Sequence, residues 1–403
     1  MSTAGVVIAG GGLAAQRCCE TLRSRGYEGR LRVVCDEPIA PYDRPPLSKG
    51  YLLGETPREA LGFRDPGWYR DADVDLLLGE RAGGLDPARR RLHVAGCKHL
   101  EYEHLLIATG AAPRRLPRAE RFANVHYLRA APDADALREA LTGGSRLAVV
   151  GAGFIGQEVA ASARRIGADV TLIEALQAPL AQILGDRVGR WFADLHEEEG
   201  VRVLLGAGVE RLQGRDAVSE VVLTNGRRVQ CDVVVAGIGV QPALAWARGS
   251  GLPTEGVPTD SMGRTAFPDI YAAGDAARPF DPGLGTHARS EHWESAARQG
   301  AAAARAMLRM PAAAPGLPSF WSDQYGLRIQ YLGNAENAEQ VSIEGDPSRR
   351  DFTAMFRRGG RPVAALLVGR PRALAAARRR LANPSTQAPG PPRDAIREVS
   401  GAA

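Results

Sequence analysis

Two stretches of this chain, 141 residues apart, follow the same plan, and that repetition limits the folds open to it. In the first, an apolar run from Val6 to Ala9 leads into a glycine turn and a helical segment to about Arg25. A second apolar run, Leu31 to Val34, then ends at Asp36-Glu37. In the second, Leu147 to Val150 leads into a glycine turn and a helical segment to about Ile166, and a run from Val170 to Ile173 ends at Glu174. Each predicts a βαβ unit, two parallel strands joined by a crossover helix.

The turn residues give the two units a chemistry. Gly10-x-Gly12-x-x-Ala15 and Gly151-x-Gly153-x-x-Gly156 both stand between a predicted strand and a predicted helix. In that context the first glycine permits a tight turn, the second lets a pyrophosphate approach the backbone, and the small third residue lets helix pack on strand. Amides at the helix N-terminus then face the phosphates. An acid after the second strand accepts from a ribose hydroxyl: Asp36 or Glu37 in the first unit, and Glu174, 23 residues after Gly151, in the second. A carboxylate at 174 suits a free 2′-hydroxyl and repels a 2′-phosphate, and no arginine lies between 174 and 186 to neutralise one. The second unit is expected to take NADH. The predicted class is α/β, with two Rossmann-like dinucleotide-binding domains and a C-terminal α+β domain.

Further short apolar runs end at Ala108-Thr109-Gly110, at Ala236-Gly237-Ile238-Gly239 and at Ala272-Ala273-Gly274-Asp275. Each marks a strand that stops where glycine lets backbone come close to something. A helix is expected from about Glu294 to Leu308, followed by a linker containing Pro311, Pro315, Gly316 and Pro318. From about Phe320 the texture changes to mixed β-runs, Leu327 to Leu332 and Ala364 to Val368, and then a helix from about Pro371 to Leu381. The Pro-, Gly-, Ser- and Gln-rich residues after Asn383 are expected to be loosely ordered.

Composition excludes other classes. At 403 residues, 44% of them apolar and 24% charged, the chain has the material for two or three packed domains. No run approaches the roughly 18 uncharged apolar residues of a membrane span, and the opening MSTAGVVIAGGG lacks the basic region of a signal peptide, so a cytoplasmic protein is expected. The net charge of +5 does not suggest nucleic-acid binding. It is unevenly spread: from Arg349 onward twelve arginines face three acids. The five cysteines include no C-x-x-C and no metal-ligand spacing, and vicinal Cys18-Cys19 lie on a predicted helix as packing residues.

Two dinucleotide motifs in one chain, with Ala108-Thr109-Gly110 before the second and Gly274-Asp275 after it, resemble the two-dinucleotide-binding-domain flavoproteins. PYDRPPLSKGYL at 41–52, SEHWESAARQG at 290–300 and FWSDQYGLRIQYLG at 320–333 narrow this to the oxygenase-coupled, NADH-dependent ferredoxin reductases, the putidaredoxin reductase family. The similarity runs from residue 5 to about 382. It implies an FAD domain at 1–112 and 245–319, an NAD domain at 113–244 and an interface domain at 320–403.

It also implies that Ala14 and Asp36 lie at the FAD pyrophosphate and ribose. Arg44, Pro45 and Lys49 would run beside the isoalloxazine ring, with Arg129 as a further contact. Asp275 would bond the ribityl chain, although a carboxylate after Gly274 also suits a helix cap. Trp293 would meet the pyrimidine end through its backbone. Ala82, Thr109, Gly110, Gly239, Gly274, Glu291 and His292 complete the expected cofactor set. His292 reads as packed rather than catalytic, because hydride transfer needs no protein base. Lys49, Glu158 and Trp321 are the expected catalytic group: charge at the ring, an acid near the nicotinamide, and an aromatic cover. Lys49 is one of only two lysines, in a sequence that otherwise uses arginine.

The implied activity is hydride transfer from NADH to FAD, then single electrons to an acidic two-iron two-sulfur ferredoxin serving a haem-thiolate or Rieske-type oxygenase. The alternatives are rubredoxin reduction, or a binding and signalling role like that of apoptosis-inducing-factor-like flavoproteins. No metal, membrane or nucleic-acid partner is implied. Ala178 and Gln182 stand where relatives carry arginine, which predicts a weaker hold on the NADH phosphates. A disulfide reductase is excluded, since PPLSKG occupies the place of its dithiol.

Overall fold

The computed structural model describes residues 4–282, 285–313 and 316–382, without the side chains of residues 97 and 98. The expected loose tail after Asn383, and Pro315 of the linker, lie outside these. Both predicted βαβ units form. Val6–Ala9 pairs in parallel with Leu31–Cys35 and with His104–Ile107, within a five-stranded sheet that Ile270–Ala272 and Val74–Leu78 complete at its edges. Arg146–Val150 holds the same central place in a second parallel sheet, between Asp169–Ile173 and Val233–Ala236. Val6 to Ala9 are wholly buried, as parallel strands covered on both faces must be.

The crossover helices are Leu13–Ser24 and Phe154–Ile166. The helix expected from about Glu294 spans Trp293–Met307 and packs along Leu13–Ser24. The chain passes from the first unit to the second and back through a two-stranded antiparallel ribbon, Ala111–Pro113 against Val240–Pro242. Two pieces that periodicity did not reveal are three-stranded antiparallel sheets, one within residues 82–101 and one within 209–230.

The C-terminal part holds more strand than its sequence suggested. Five antiparallel strands stand in the order Ser319–Gln324, Leu327–Gly333, Arg361–Val368, Asp351–Arg358, Gln340–Asp346. Ser319–Gln324 and Gln340–Asp346 are edge strands rich in polar residues, which hides them from an apolar-run criterion. One sheet face packs on Leu184, Val188 and Phe192 of a helix over Ala181–Glu198, broken at Gly185 (φ 71°). The other face takes Ala377 and Leu381 of the final helix, Leu374–Ala382, which one 3-10 turn precedes. The third sheet is thereby fixed to the second unit by a hydrophobic interface. No helix among the described residues is long and apolar enough to cross a membrane.

Candidate active site

The glycines of the two turns do different physical work. Gly10 (φ 118°) and Gly151 (φ 98°) adopt backbone open to glycine, and a Cβ on either would strike a neighbouring strand's carbonyl oxygen, Ala108 at 2.1 Å or Gly237 at 2.4 Å. Gly12 and Gly153 begin their helices and have no atom within 4 Å of where a Cβ would stand. Such open cradles at helix N-termini suit the pyrophosphates of FAD and NADH. At the third place Gly156 is needed for packing, because a Cβ there would sit 2.1 Å from the Gly151 oxygen, whereas Ala15 fits, fully buried.

The acids of the two units are not in equivalent places. Ala9 pairs with Val34 and Val150 with Ile173, so Cys35 stands where Glu174 does and Asp36 lies one residue further on. Glu174 accepts from the amides of Ala152 (2.8 Å) and Leu176 (3.0 Å), which fixes its carboxylate beside the second turn. In the first unit the Cys35 sulfur instead fills the space beside Gly11. Glu37 is engaged by Arg44 (2.7 Å) and by the Tyr42 hydroxyl (2.5 Å), while Asp36 is exposed with Arg81 at 3.6 Å. Of the two acids that sequence left open, Asp36 is the exposed one and Glu37 is held by neighbouring side chains.

From Glu37 a line of charged groups runs beside the first unit, with Arg129 reaching in from residues 113–244. Arg44 also donates to the Arg129 carbonyl (2.6 Å), and the Arg129 guanidinium pairs with Asp275 at 2.9 Å. Gly110 adopts a positive φ of 68° that favours glycine, with that guanidinium 3.0 Å from where a Cβ would stand. Asp275 follows Gly274, whose amide donates to the Gln299 side chain (2.8 Å) and whose Cα faces Ala14.

A second constellation joins all three parts of the chain. Lys49 donates to Glu158 Oε2 (2.7 Å) and to the Pro45 carbonyl (3.2 Å). Ser48 donates to the same carboxylate oxygen (2.5 Å), and Ser322 donates to Oε1 (2.7 Å). Glu158 is only 2% exposed, and a carboxylate buried that deeply requires such a full set of donors. Beside it opens a cleft of about 390 Å³, lined by Asp43, Pro45, Lys49, Ser162, Trp321 and Tyr325 among others. Trp321 meets Trp293 edge-on with ring centres 5.7 Å apart and carries the Arg328 guanidinium over its face. The Trp293 indole donates to Asp43 (2.7 Å), whose pKa burial raises.

Of the other expected positions, Glu291 and His292 lie near Asp275 and the rest stand apart from both constellations. Ala82 is buried with Val7, Ala9 and Val34, so its side chain belongs to the core. Gly239 accepts from the Arg114 amide beside the connecting ribbon, and Thr109 donates to the Ala243 carbonyl. Glu291 pairs with Arg289 at 2.6 Å. His292 stacks on Phe320 with ring centres 4.5 Å apart, and burial pushes its pKa down to about 4, so it is neutral near pH 7. Ala178 is buried and Gln182 exposed.

Sequence reasoning missed Ser48, Ser322, Gln299 and Gly300. All four stand inside the family motifs, Ser48 in PYDRPPLSKGYL, Gln299 and Gly300 in SEHWESAARQG and Ser322 in FWSDQYGLRIQYLG, but nothing in a serine's spacing there gives it a role. The arginine excess of the third part also needs correction as a free surface charge. Arg350 pairs with Glu198 and Glu199, Arg370 with Asp351, and Arg380 with Glu344, while Arg358 donates to the carbonyls of Asn334 and Glu336. Glu198 and Glu199 lie far back in the sequence and Glu344 just before Arg349, where the local count does not see them. Arg393 and Arg397 lie outside the described residues.

Residues 4–300 match the pyridine nucleotide-disulphide oxidoreductase family and residues 319–395 the reductase C-terminal domain. The chain is 40% identical over 348 residues to the ferredoxin–NAD(+) reductase component of the biphenyl dioxygenase system of Paraburkholderia xenovorans, covering 85% of this chain and 84% of that one. It is 33% identical to the putidaredoxin reductase of Pseudomonas putida, over 91% of this chain and 89% of the other. Its fold matches the crystal structure of a covalent putidaredoxin reductase–putidaredoxin complex with a TM-score of 0.92 and 31% identity, covering 95% and 94% of the two chains.

Proposed function

Because the chain belongs to the pyridine nucleotide-disulphide oxidoreductase family, we propose that its residues act as an FAD-dependent NADH:ferredoxin reductase, feeding an oxygenase through a two-iron two-sulfur ferredoxin. FAD held there would supply the chemistry that links two-electron hydride acceptance from NADH to one-electron release. The observation that carries the reading is the meeting of Lys49, Glu158 and Trp321, one from each part of the chain, beside a single cleft.

Residues 1–112 and 245–319 hold FAD. The open amides after Gly12 take its pyrophosphate, Asp36 its ribose, and the Arg44–Arg129–Asp275 line its remaining polar groups. Residues 113–244 bind NADH through Gly151, Gly153, Gly156 and Glu174. Lys49 places an ammonium in the cleft, and Glu158 compensates it without a counter-ion from solvent. Trp321, with Trp293 edge-on against it, walls the cleft with aromatic surface and excludes water. From residue 320 onward the chain presents the face on which ferredoxin docks, and the protein works in the cytoplasm.

The test is anaerobic titration of the FAD-loaded protein with NADH, followed by mixing with a two-iron two-sulfur ferredoxin. Bleaching of the flavin by one equivalent of NADH and ferredoxin reduction within turnover time are expected. Flavin reduction without transfer to any such ferredoxin would overturn the reading.

A further inference from the structure

We propose that Ser322 is a positioning residue for the Lys49–Glu158 pair, so that the third part of the chain sets the charge the cleft presents to the flavin. The inference rests on the proposed reading of Lys49 and Glu158 as the charged pair at the flavin.

Glu158 Oε2 has two donors, Lys49 and Ser48, both from the first unit, whereas Oε1 has Ser322, from the edge strand that also carries Trp321. Ser322 is wholly buried, and its hydroxyl is pinned: Gln324 donates its side-chain amide to Ser322 Oγ at 3.1 Å, so the serine hydrogen is left to point at Glu158. Gln324 is itself buried. The alignment of one strand of the third sheet therefore determines where the second oxygen of Glu158 points.

The Lys49 ammonium has three N–H bonds. Glu158 Oε2 and the Pro45 carbonyl take two, and the third has no partner among the described residues. Without the Ser322 hydroxyl, Glu158 Oε1 is a buried anionic oxygen lacking a donor, a costly state. Among the donors already on this carboxylate, Lys49 alone has a hydrogen to spare. Turning both carboxylate oxygens to Lys49 compensates that cation more completely and withdraws it from the cleft. A reduced flavin carries more negative charge than an oxidised one, so it then loses stabilisation.

The test compares Ser322→Ala, Ser322→Thr and Glu158→Gln as FAD-loaded full-length proteins, reading the midpoint potential of the bound flavin and the rate of flavin reduction by NADH. Ser322→Ala is expected to make the potential more negative and to slow reduction about fivefold, with FAD still bound. Ser322→Thr, which keeps the hydroxyl, is expected to restore both. In a Glu158→Gln background, Ser322→Ala is expected to add less than a twofold further change, since no carboxylate remains to redirect. If Ser322→Ala does not hold FAD, Ser322→Cys replaces it, filling the same space with only a weak S–H donor, and the same negative shift is expected. An unchanged potential in Ser322→Ala or its replacement, while Glu158→Gln shifts it, overturns the role of Ser322 alone. An unchanged potential in Glu158→Gln itself overturns the reading of the charged pair, and this inference with it.

Discussion

Gly300 and Ala14 lie on two helices that approach so closely that a methyl group on Gly300 would stand 2.1 Å from the Ala14 carbonyl oxygen. Neither helix can yield alone, because Leu13–Ser24 rests on the parallel sheet and Trp293–Met307 carries Gln299, which holds the Gly274 amide. The contact locks the helix that starts at the first glycine turn.

Gly300→Val is therefore expected to push the helices apart and weaken FAD retention. Overpacking of this kind costs about 1–3 kcal/mol and more where backbone is struck. Chemical denaturation together with flavin content after gel filtration checks this. A variant with unchanged stability and full flavin would show that the helices tolerate the separation.

The Glu174 carboxylate is fixed by two backbone amides and so cannot turn away from a 2′-phosphate. NADH is expected to exceed NADPH by at least about tenfold in kcat/KM, since the repulsion should exceed about 1.4 kcal/mol. Glu174→Ala is expected to narrow the gap mainly by raising KM for NADH. Equal efficiencies for the wild type with the two cofactors would refute this.

His196 is wholly buried, its ring nitrogens within reach of the Tyr325 hydroxyl (2.6 Å) and the Gln157 side-chain oxygen (3.3 Å). Burial lowers its pKa from 6.5 to about 4. Between those values the unfolded chain binds the proton and the folded one does not, so the stabilisation is complete above pH 6.5 and is lost as pH falls toward 4. The loss is on the order of 3 kcal/mol. His196→Gln lacks that titration, so its urea midpoint is expected to fall less across this window than the wild type's. Parallel curves would rule out the assignment.

The arginines after Arg349 include two runs, Arg357-Arg358-Arg361 and Arg378-Arg379-Arg380, and each keeps one exposed arginine without a partner among the described residues, Arg361 and Arg379. Changing both to Glu is expected to slow ferredoxin reduction tenfold or more at low salt, with the difference shrinking as salt screens it. Stopped-flow flavin reduction by NADH is expected to stay unchanged. A ferredoxin rate indifferent to both the substitutions and salt places the docking face elsewhere.

Cofactor chemistry was legible where a local backbone requirement forces one residue type at one spacing. Gly10 and Gly151 meet a local demand for positive φ, Gly156 a contact with the Gly151 oxygen, and Gly12 and Gly153 leave the helix start open, while Glu174 follows directly on its strand, so their pattern survives in one dimension. The Asp36-or-Glu37 ambiguity did not resolve there, because it depends on whether Arg44 and Tyr42 fold back onto Glu37. The buried charge cluster belongs to tertiary structure altogether. Ser48 and Ser322 reach Glu158 across 110 and 164 residues of chain, and a serine has no spacing rule that would mark it. Likewise the arginines summed to a basic segment in sequence, yet Glu198, Glu199 and Glu344 neutralise part of it only after folding. Sequence determined which groups of atoms the backbone can approach; the packing of three sheets decided which charges meet and which remain free.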